Sequence, residues 1–207
     1  MDSADFFQTH FASMPAMGIF RNQTPEATVR LCHAAWDFGI DLVEIPVQSR
    51  DALPSLAAAV EAGRRCGRIV GAGTVTTPEQ LTEVHKIGAQ FTVAPGLDDD
   101  VIVQSARISL PHLPGVATAT EIARAYQQGL SWLKAFPAAQ LGTAWIKAQH
   151  GPFPQMNFVA TGGIDTKNAQ AFLAAGCSAV ALGSALADLT SLASFQLFVP
   201  QGETSAH

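Results

Sequence analysis

One lysine of this chain lies in an apolar setting that suits covalent chemistry. Lys134 stands in the segment WLKAFP, residues 132–137. Burial disfavours the charged ammonium form of lysine and lowers its pKa, and the neutral amine can attack a carbonyl carbon to form a Schiff base. A lysine in an apolar strand can also extend its ammonium to solvent or pair with an acid for stability. The side chains that lie near Lys134 decide between these interpretations.

A carboxylate in a second apolar segment is the natural partner for such an amine. Glu44 stands in VEIPVQS, residues 43–49, and is the one carboxylate expected to face inward from a strand. A buried acid is unfavourable unless it is paired or carries protons, and the formation and hydrolysis of an imine both require a group that moves protons. An ion pair between Glu44 and Lys134 that only stabilises the fold is the alternative.

The pattern of the whole chain predicts the fold that must bring these side chains together. Short apolar segments of strand type alternate with helical segments, several of which begin at an N-cap residue, as at Thr24, Thr77 and Asp165. The eight predicted strands cover residues 16–20, 41–47, 68–74, 91–96, 108–116, 132–137, 157–163 and 179–184. Such alternation requires parallel strands with right-handed crossovers, and eight repeats predict an α/β fold closed into a single (β/α)8 TIM barrel. An open doubly wound sheet is the alternative, although no GxGxxG motif follows the first strand.

Composition and charge restrict the class of protein. The 207 residues are 48% hydrophobic and 14% charged, which suits one domain over residues 1–207 with strands covered on both faces. A formal net charge of −5 and a pI near 5.6 disfavour a nucleic acid partner. The chain opens without a basic n-region and has no apolar run of roughly 20 residues, so we expect no membrane partner and a cytoplasmic location. The histidines show no HxH or HxxxH spacing, so we expect no metal site.

In a (β/α)8 barrel the active site lies at the carboxyl ends of the strands. Besides Glu44 and Lys134, the predicted strand ends carry Arg21, Thr74, Pro95, a TGG turn at 161–163 and a GS turn at 183–184. Arg21 can clamp a carboxylate or a phosphate, and Thr74 can hydrogen-bond a substrate. The two glycine turns follow strands seven and eight, where barrels often surround a phosphate with backbone amides, although tight βα turns use glycine in any case. The sequence therefore predicts a phosphate site beside the lysine.

Six motifs occur in order along the chain at the spacing of one known family. They are GAGTV with Thr74, APGL at 94–97, LPGVATATE at 113–121, LKAFPA at 133–138, TGGI at 161–164 and LGS at 182–184. Together they resemble the 2-keto-3-deoxy-6-phosphogluconate (KDPG) aldolase family, which includes 4-hydroxy-2-oxoglutarate (KHG) aldolase and relatives of the 6-phosphogalactonate series. The similarity runs in register from about residue 16 to 186. Each motif alone is weak, but six in order are specific.

The resemblance implies a class I aldolase, an aldehyde-lyase that works without a metal or organic cofactor and usually forms a homotrimer. Its implied ligands are pyruvate and a phosphorylated keto-deoxy sugar acid. Carried over by position, Lys134 matches the Schiff-base lysine and Glu44 the general acid/base. Thr74 and Thr161 match positions near the pyruvyl part of the substrate, and Pro95 and Phe136 match positions in the pocket wall. The phosphate cradle is matched by Gly162, Gly163, Gly183 and Ser184.

One position departs from the phosphogluconate branch of that family. There an arginine stands four residues after the glutamate, whereas this chain has Gln48, with Arg50 two positions later. The segment EIPVQS and Arg21 after the first strand look more like the phosphogalactonate branch, so we expect Gln48 and Arg21 to contact the substrate. Phosphogluconate and unphosphorylated 4-hydroxy-2-oxoglutarate are the alternative substrates. A non-catalytic phosphate-binding barrel and a phosphosugar isomerase are the alternatives from other classes.

Overall fold

The computed structural model of the chain describes residues 2–183. Its helices are α1 (Ser3–Phe11), α2 (Pro25–Asp37), α3 (Leu53–Cys66), α4 (Pro78–Ile87), α5 (Asp99–Arg107), α6 (Ala119–Gln127), α7 (Ala138–His150) and α8 (Ala169–Ala174). Its strands are β1 (Ala16–Ile19), β2 (Leu42–Pro46), β3 (Ile69–Gly73), β4 (Thr92–Val93), β5 (His112–Leu113), β6 (Gly115–Val116), β7 (Trp132–Ala135), β8 (Asn157–Thr161) and β9 (Ala179–Leu182). A 3₁₀ turn, Arg50–Ala52, precedes α3.

The strands form one parallel sheet whose two edges belong to the same stretch of chain. Their order is β5-β4-β3-β2-β1-β9-β8-β7-β6. The edge strands β5 and β6 are separated only by Pro114, whose ring removes the N–H that a continuous ladder would use. The Pro114 carbonyl still accepts a hydrogen bond of 2.9 Å from the Lys134 N–H. The sheet is therefore curled into the predicted TIM barrel, nearly closed through this segment, and the open doubly wound sheet is wrong.

The fifth predicted strand, residues 108–116, is shorter than expected and divided. Helix α5 extends to Arg107, and the Ile108 N–H donates to the Gln104 carbonyl at 3.1 Å, so the helix uses residues that we assigned to the strand. Ile108 and Leu110, which follow the helix, are apolar and two residues apart as in a strand, and this spacing hides the boundary in the sequence. Nine strand segments within residues 2–183 thus occupy the eight strand positions of the barrel, because Pro114 divides one of them.

The amino end of the barrel is closed by helix α1, which we did not predict. It places Phe6, Phe7 and Phe11 among the inward side chains of the strands in a buried apolar cluster. Phe11 stacks on Trp132 with ring centroids 5.3 Å apart, and Phe7 meets Phe91 edge-on at 6.0 Å. Trp132 begins β7 and Phe91 precedes β4, so these rings fill the end of the barrel where strands begin. Space for a ligand is left at the carboxyl ends.

The helices around the barrel mostly begin where capping residues predict. The Thr24 and Thr77 hydroxyls accept hydrogen bonds from the N–H groups of Ala27 and Gln80, at 3.3 and 3.2 Å. Asp165 differs: its carboxylate accepts from the N–H groups two and three residues later, at 2.8 and 3.1 Å, and α8 begins only at Ala169. The Asp165 side chain therefore stabilises a local turn and does not cap the start of a helix.

The sheet divides the apolar core into two layers. One cluster lies inside the barrel with α1, and a larger one packs between the sheet and the surrounding helices. No helix within residues 2–183 is both long and apolar enough to cross a membrane. The expectation of one domain over residues 1–207 stays a prediction, since residues 184–207 lie outside the described part.

A buried imidazole lies in the outer layer of this core. Leu113 belongs to the inward cluster, so the preceding residue, His112, points outward toward the helices. Its Nδ1 lies 2.8 Å from the Thr92 hydroxyl, and its Nε2 has no hydrogen-bond partner among the described residues. Burial lowers the pKa of His112 to about 4. The prediction of a hydrogen-bonded core residue at this position is confirmed.

Replacing His112 by asparagine is expected to reduce the sensitivity of the fold to acid. Between about pH 4 and pH 6.5 the unfolded chain binds a proton at His112 that the folded protein does not, so stability falls as the pH drops, by up to about 3 kcal/mol. Asparagine can keep the bond to Thr92 and does not titrate. Calorimetric Tm values between pH 7 and pH 4.5 should fall less for His112→Asn than for the wild type. Equal slopes would contradict this, and exposed His33→Asn is the control expected to keep the wild-type slope.

Candidate active site

A cavity of about 530 Å³ opens at the carboxyl ends of the strands. It is lined by residues of β1, β7, β8 and β9, of the loops that follow them and of helix α2, namely Ile19, Phe20, Arg21, Gln23, Leu31, Lys134, Phe136, Thr161, Gly162, Gly163, Ile164, Ala181 and Gly183. Arg21, Lys134, Phe136, Thr161 and the three glycines were predicted from the sequence. The structure thus brings residues from both halves of the chain to one cavity, as the barrel requires.

Lys134 is enclosed by this cavity. The residue is 4% exposed, and its Nζ lies 4.8 Å from the centroid of the Phe136 ring. Burial lowers the pKa of Lys134; the carboxylate of Glu44 raises it in part, and the charge of Arg21 lowers it further. The amine does not reach bulk solvent, so the interpretation of Lys134 as a side chain extended to solvent is wrong. The net effect is a larger fraction of neutral amine at neutral pH than an ordinary lysine has.

Glu44 is buried deeper than Lys134, on β2. It is 1% exposed, and its Oε2 has no hydrogen-bond partner among the described residues. Burial raises the pKa of Glu44, while the charges of Lys134 and Arg21 lower it in part. Within residues 2–183 the ion pairs use other carboxylates, those of Asp41, Glu61, Glu83 and Asp99. Glu44 and Lys134 therefore interact electrostatically without forming a structural ion pair. The pKa of each residue is shifted in the direction that favours its neutral form.

A glycine to which we assigned no role makes room for the Glu44 carboxylate. A Cβ added to Gly73, the last residue of β3, would lie 1.6 Å from Glu44 Oε1 and 2.3 Å from Cδ. The motif GAGTV contains Gly73, but only the packing across two strands reveals what its missing side chain does. Gly73 is thus part of the site although it offers no functional group.

Replacing Gly73 by alanine is expected to displace the Glu44 carboxylate and to lower kcat by about 100-fold, because small misplacements of a catalytic group carry costs of this size. Gly71→Ala is the matched comparison on the same strand, since its Cβ would lie 2.5 Å from the Phe91 ring, away from the cavity. Overpacking there should lower stability by about 1–3 kcal/mol with a smaller effect on kcat. Steady-state kinetics and thermal melts of both variants separate the two effects; wild-type kcat in Gly73→Ala would contradict the expectation.

The rim of the cavity carries a row of polar side chains from the first three βα loops. Arg21 Nη1 donates to Gln48 Oε1 at 3.1 Å, and Arg21 Nη2 donates to Thr74 Oγ1 at 3.4 Å. Gln48 in turn donates from Nε2 to Asn22 Oδ1 at 2.5 Å. Thr74 adopts a left-handed φ of 60°. Arg21 and Gln48, predicted from separate segments, are therefore neighbours joined by a hydrogen bond.

Some predicted residues stand outside the lining of the main cavity. Glu44 is buried and does not line this cavity, Thr74 is hydrogen-bonded to its lining residue Arg21, and Gln48 lines an adjoining cavity of about 120 Å³. Pro95 packs on β6, since a Cβ on Gly115 would come within 2.2 Å of the Pro95 carbonyl oxygen. Ser184 lies outside the described residues.

One wall of the cavity is apolar, and of its residues we singled out only Phe20, at the end of the first predicted strand. It is formed by Ile19, Phe20, Leu31, Ile164 and Ala181. The alternation along β1 carries a signal for Ile19, since Met17 two residues earlier lies in the inward cluster. Leu31 comes from helix α2, and nothing in its local sequence separates it from other core leucines. Residues 2–183 contain no cluster of three or more His, Cys, Asp or Glu side chains arranged to hold a metal ion.

Comparison with known proteins identifies the family of this barrel. The family model described as KDPG and KHG aldolase matches residues 8–197. The chain belongs to the KDPG and KHG aldolase family. Members of this family are class I aldolases, so the protein is an enzyme, a carbon–carbon lyase. This assignment argues against the phosphosugar isomerase and the non-catalytic binding barrel.

Individual relatives agree with the aldolase assignment. The chain is 35% identical over 175 residues to 2-dehydro-3-deoxy-6-phosphogalactonate aldolase of Escherichia coli strain K12, covering 84% of both chains. It is 35% identical over 150 residues to KHG/KDPG aldolase of the same strain, covering 72% of this chain and 70% of the relative. KDPG aldolase from Legionella pneumophila, in a crystal structure with pyruvate captured at low pH as a covalent carbinolamine intermediate, superposes with a TM-score of 0.83 at 28% identity, covering 94% of this chain and 98% of that one.

Proposed function

We propose that this aldolase cleaves 2-dehydro-3-deoxy-6-phosphogalactonate to pyruvate and glyceraldehyde 3-phosphate through a Schiff base on Lys134. The observation that carries the proposal is the joint burial of Lys134 and Glu44 within one barrel. Burial lowers the pKa of the amine and raises the pKa of the acid. A neutral amine and a protonated acid are the states needed to attack a ketone and to protonate the oxygen that leaves it.

The first half of the reaction forms the electron sink. Lys134 Nζ attacks the C2 ketone to give a carbinolamine, and Glu44 donates a proton to its oxygen, which departs as water. The resulting iminium carries a positive charge near a carboxylate that has just become ionised. That charge favours the ionised form of Glu44 and lowers its pKa, so the group that acted as an acid becomes a base for the next step.

The second half of the reaction breaks the bond and releases both products. Glu44 takes the proton of the C4 hydroxyl, the C3–C4 bond breaks, and its electron pair moves into the iminium to form an enamine. Glyceraldehyde 3-phosphate leaves first. The enamine is then protonated at C3, and water attacks C2 to release pyruvate and the free amine of Lys134.

The distal phosphate is proposed to bind at the glycine turns after β8 and β9. Gly162 and Gly163 have left-handed φ values of 92° and 69°, which glycine adopts without strain. Both residues line the main cavity together with Gly183. Backbone N–H groups of such turns suit an anion. Ser184 is proposed to complete this cradle. Binding energy gained there, away from the reacting carbons, can orient C2 toward Lys134.

The choice of the galactonate series is supported by Gln48 and Arg21. The amide of Gln48 can both donate and accept a hydrogen bond, whereas an arginine at its position could only donate. Its bond to Arg21 holds it at the cavity rim, where a sugar hydroxyl can reach it. The phosphogalactonate relative also aligns with a larger share of this chain than the KHG/KDPG relative, although both are 35% identical to it. Because the two relatives are equally identical to this chain, KDPG and KHG are the second candidate substrates.

The experiment that tests this choice compares kcat/KM for the two C4 epimers, with unphosphorylated 4-hydroxy-2-oxoglutarate as the third substrate. We expect the galactonate epimer to be preferred by about tenfold or more, because a misplaced hydroxyl leaves a polar group of the site unpaired. A higher kcat/KM for the gluconate epimer would reverse the assignment. Equal kcat/KM values for the phosphorylated and unphosphorylated substrates would contradict the proposed phosphate cradle.

The remaining expectations concern assembly and location. A homotrimer is implied by family resemblance, and light scattering should then give three times the 21.7 kDa of the chain. Val103 and Tyr126, on α5 and α6, are 63% and 53% exposed in the isolated chain and are apolar surface that an assembly could cover. A cytoplasmic location, with no nucleic acid or membrane partner, is proposed from composition and charge.

A further inference from the structure

Two consecutive residues hold the amide of Gln48 from opposite ends. Arg21 Nη1 donates to Gln48 Oε1 at 3.1 Å, and Gln48 Nε2 donates to Asn22 Oδ1 at 2.5 Å. The resemblance that pointed to Arg21 and Gln48 did not include Asn22. The row begins at a residue of the main cavity, Arg21, and ends at Asn22, which lines the adjoining cavity of about 120 Å³ together with Gln48. Gln48 therefore connects a residue of the main cavity, through a hydrogen bond, with the adjoining cavity that it lines itself.

The direction of this row follows from the chemistry of its first member. A guanidinium can only donate hydrogen bonds, so Gln48 must turn its oxygen toward Arg21. Its NH₂ group then faces Asn22, which must present an oxygen in return. A reversed Gln48 amide would set two donors against each other at Arg21. The row therefore has one consistent orientation, Arg21 to Gln48 to Asn22, although amide nitrogen and oxygen atoms resemble each other in shape.

The backbone of Asn22 is unusual in a way that suits this task. Its φ of 57° lies in the left-handed region, which asparagine tolerates better than most residues with a side chain. Glycine would adopt this turn with less strain but would have no oxygen to accept from Gln48. Arg21, Asn22 and Gln48 are all exposed in the free protein, where water competes for these bonds. The bonds contribute little to folding and become important when a ligand covers the rim.

We propose that Asn22 is a positioning residue that immobilises the Gln48 amide and thereby sets the preference of the enzyme between C4 epimers. This inference rests on the proposed function, in which Gln48 contacts the substrate. C4 epimers differ in the direction of one hydroxyl. An amide held at both ends offers fixed donor and acceptor positions to that hydroxyl and suits one direction. An amide released at one end regains its rotamers and can adapt to either epimer.

The test uses two substitutions at Asn22 that both tolerate its left-handed φ. Asn22→Gly removes the acceptor oxygen, and Asn22→Asp keeps one. We expect Asn22→Gly to lower kcat/KM for the preferred epimer by about five- to tenfold and to bring the epimer ratio close to one, with the Tm unchanged within about 2 °C. Asn22→Asp is expected to keep the wild-type preference. A merely structural role would move the Tm and lower kcat/KM for both epimers alike.

Three outcomes overturn the inference: a wild-type enzyme without an epimer preference, an Asn22→Gly enzyme with the wild-type ratio, or an Asn22→Asp enzyme that loses the ratio as Asn22→Gly does. Borohydride trapping of pyruvate on Lys134, run in parallel on the wild type and both variants, separates this inference from the proposed function. Trapping in all three proteins together with an unchanged ratio rejects the role of Asn22 alone. Failure of trapping in the wild type rejects the Schiff-base chemistry itself.

Discussion

Replacing Lys134 by methionine is expected to abolish aldol cleavage, lowering kcat by about 10⁴-fold or more, because no other described residue that lines the cavity carries an amine able to form the iminium that accepts the electron pair. Methionine has a similar shape and fills the same buried space. Since the native amine is buried without an ion pair, the variant should be at least as stable as the wild type. Steady-state kinetics and a thermal melt measure both effects.

Two control variants sharpen this expectation. Lys134→Arg keeps a positive charge, but a guanidinium does not form an imine, so it should be as inactive as Lys134→Met. Exposed Lys147 on α7 offers the matched surface control, and Lys147→Met should keep wild-type kcat. Measurable turnover in Lys134→Met would show that the lysine assists catalysis only by its charge or its position.

Replacing Glu44 by glutamine is expected to lower kcat by about 10²- to 10⁴-fold, the usual contribution of a group that moves protons. Glutamine preserves the shape of the side chain within the space left by Gly73, so positioning of other groups is kept. Steady-state kcat at several pH values measures the loss. Unchanged turnover in Glu44→Gln would remove Glu44 from the proton pathway.

The same substitution should stabilise the protein at neutral pH. Burial raises the pKa of Glu44 above the 4.5 of an ordinary glutamate, so the folded protein holds a proton that the unfolded chain releases as the pH rises above 4.5. Wild-type stability therefore falls with rising pH through the window between 4.5 and the raised pKa, and Glu44→Gln does not share this loss. The Tm difference between variant and wild type should grow from pH 4.5 toward pH 7. A difference independent of pH would contradict the burial of an ionisable carboxylate.

Periodicity predicted the barrel because the alternation of strands and helices is a property of the whole chain. Its local errors have particular causes. The boundary between α5 and β5 was missed because Ile108 and Leu110, which are apolar and two residues apart as in a strand, lie between the helix and the strand. Pro114 divides a strand whose two halves still hold one barrel position. Helix α1 was missed because its three phenylalanines bury their rings against residues as distant in sequence as Trp132. A contact of that span leaves no local pattern.

The site was predictable to the extent that its residues carry unusual chemistry for their surroundings. A lysine and a glutamate within apolar strands are conspicuous in the sequence, and the glycine turns were predicted from their position after strands seven and eight. Family resemblance supplied the roles of Thr161 and Phe136. The roles of Gly73 and Asn22 were not predicted, because each acts on a residue of another strand or loop: Gly73 leaves space for Glu44, and Asn22 binds Gln48. The apolar wall around Leu31 was missed for the opposite reason, since its residues look like any other core residues.

The most direct test of the proposed chemistry is to incubate the protein with pyruvate, reduce with borohydride, and locate the adduct by peptide mass spectrometry. We expect a reduced pyruvyl adduct on Lys134, absent from Lys134→Met and absent without pyruvate. Because burial lowers the pKa of Lys134, trapping should also rise with pH to a midpoint below the 10.5 of an ordinary lysine. No adduct, or an adduct on another lysine with Lys134 unmodified, would contradict the assignment of Lys134 as the Schiff-base nucleophile.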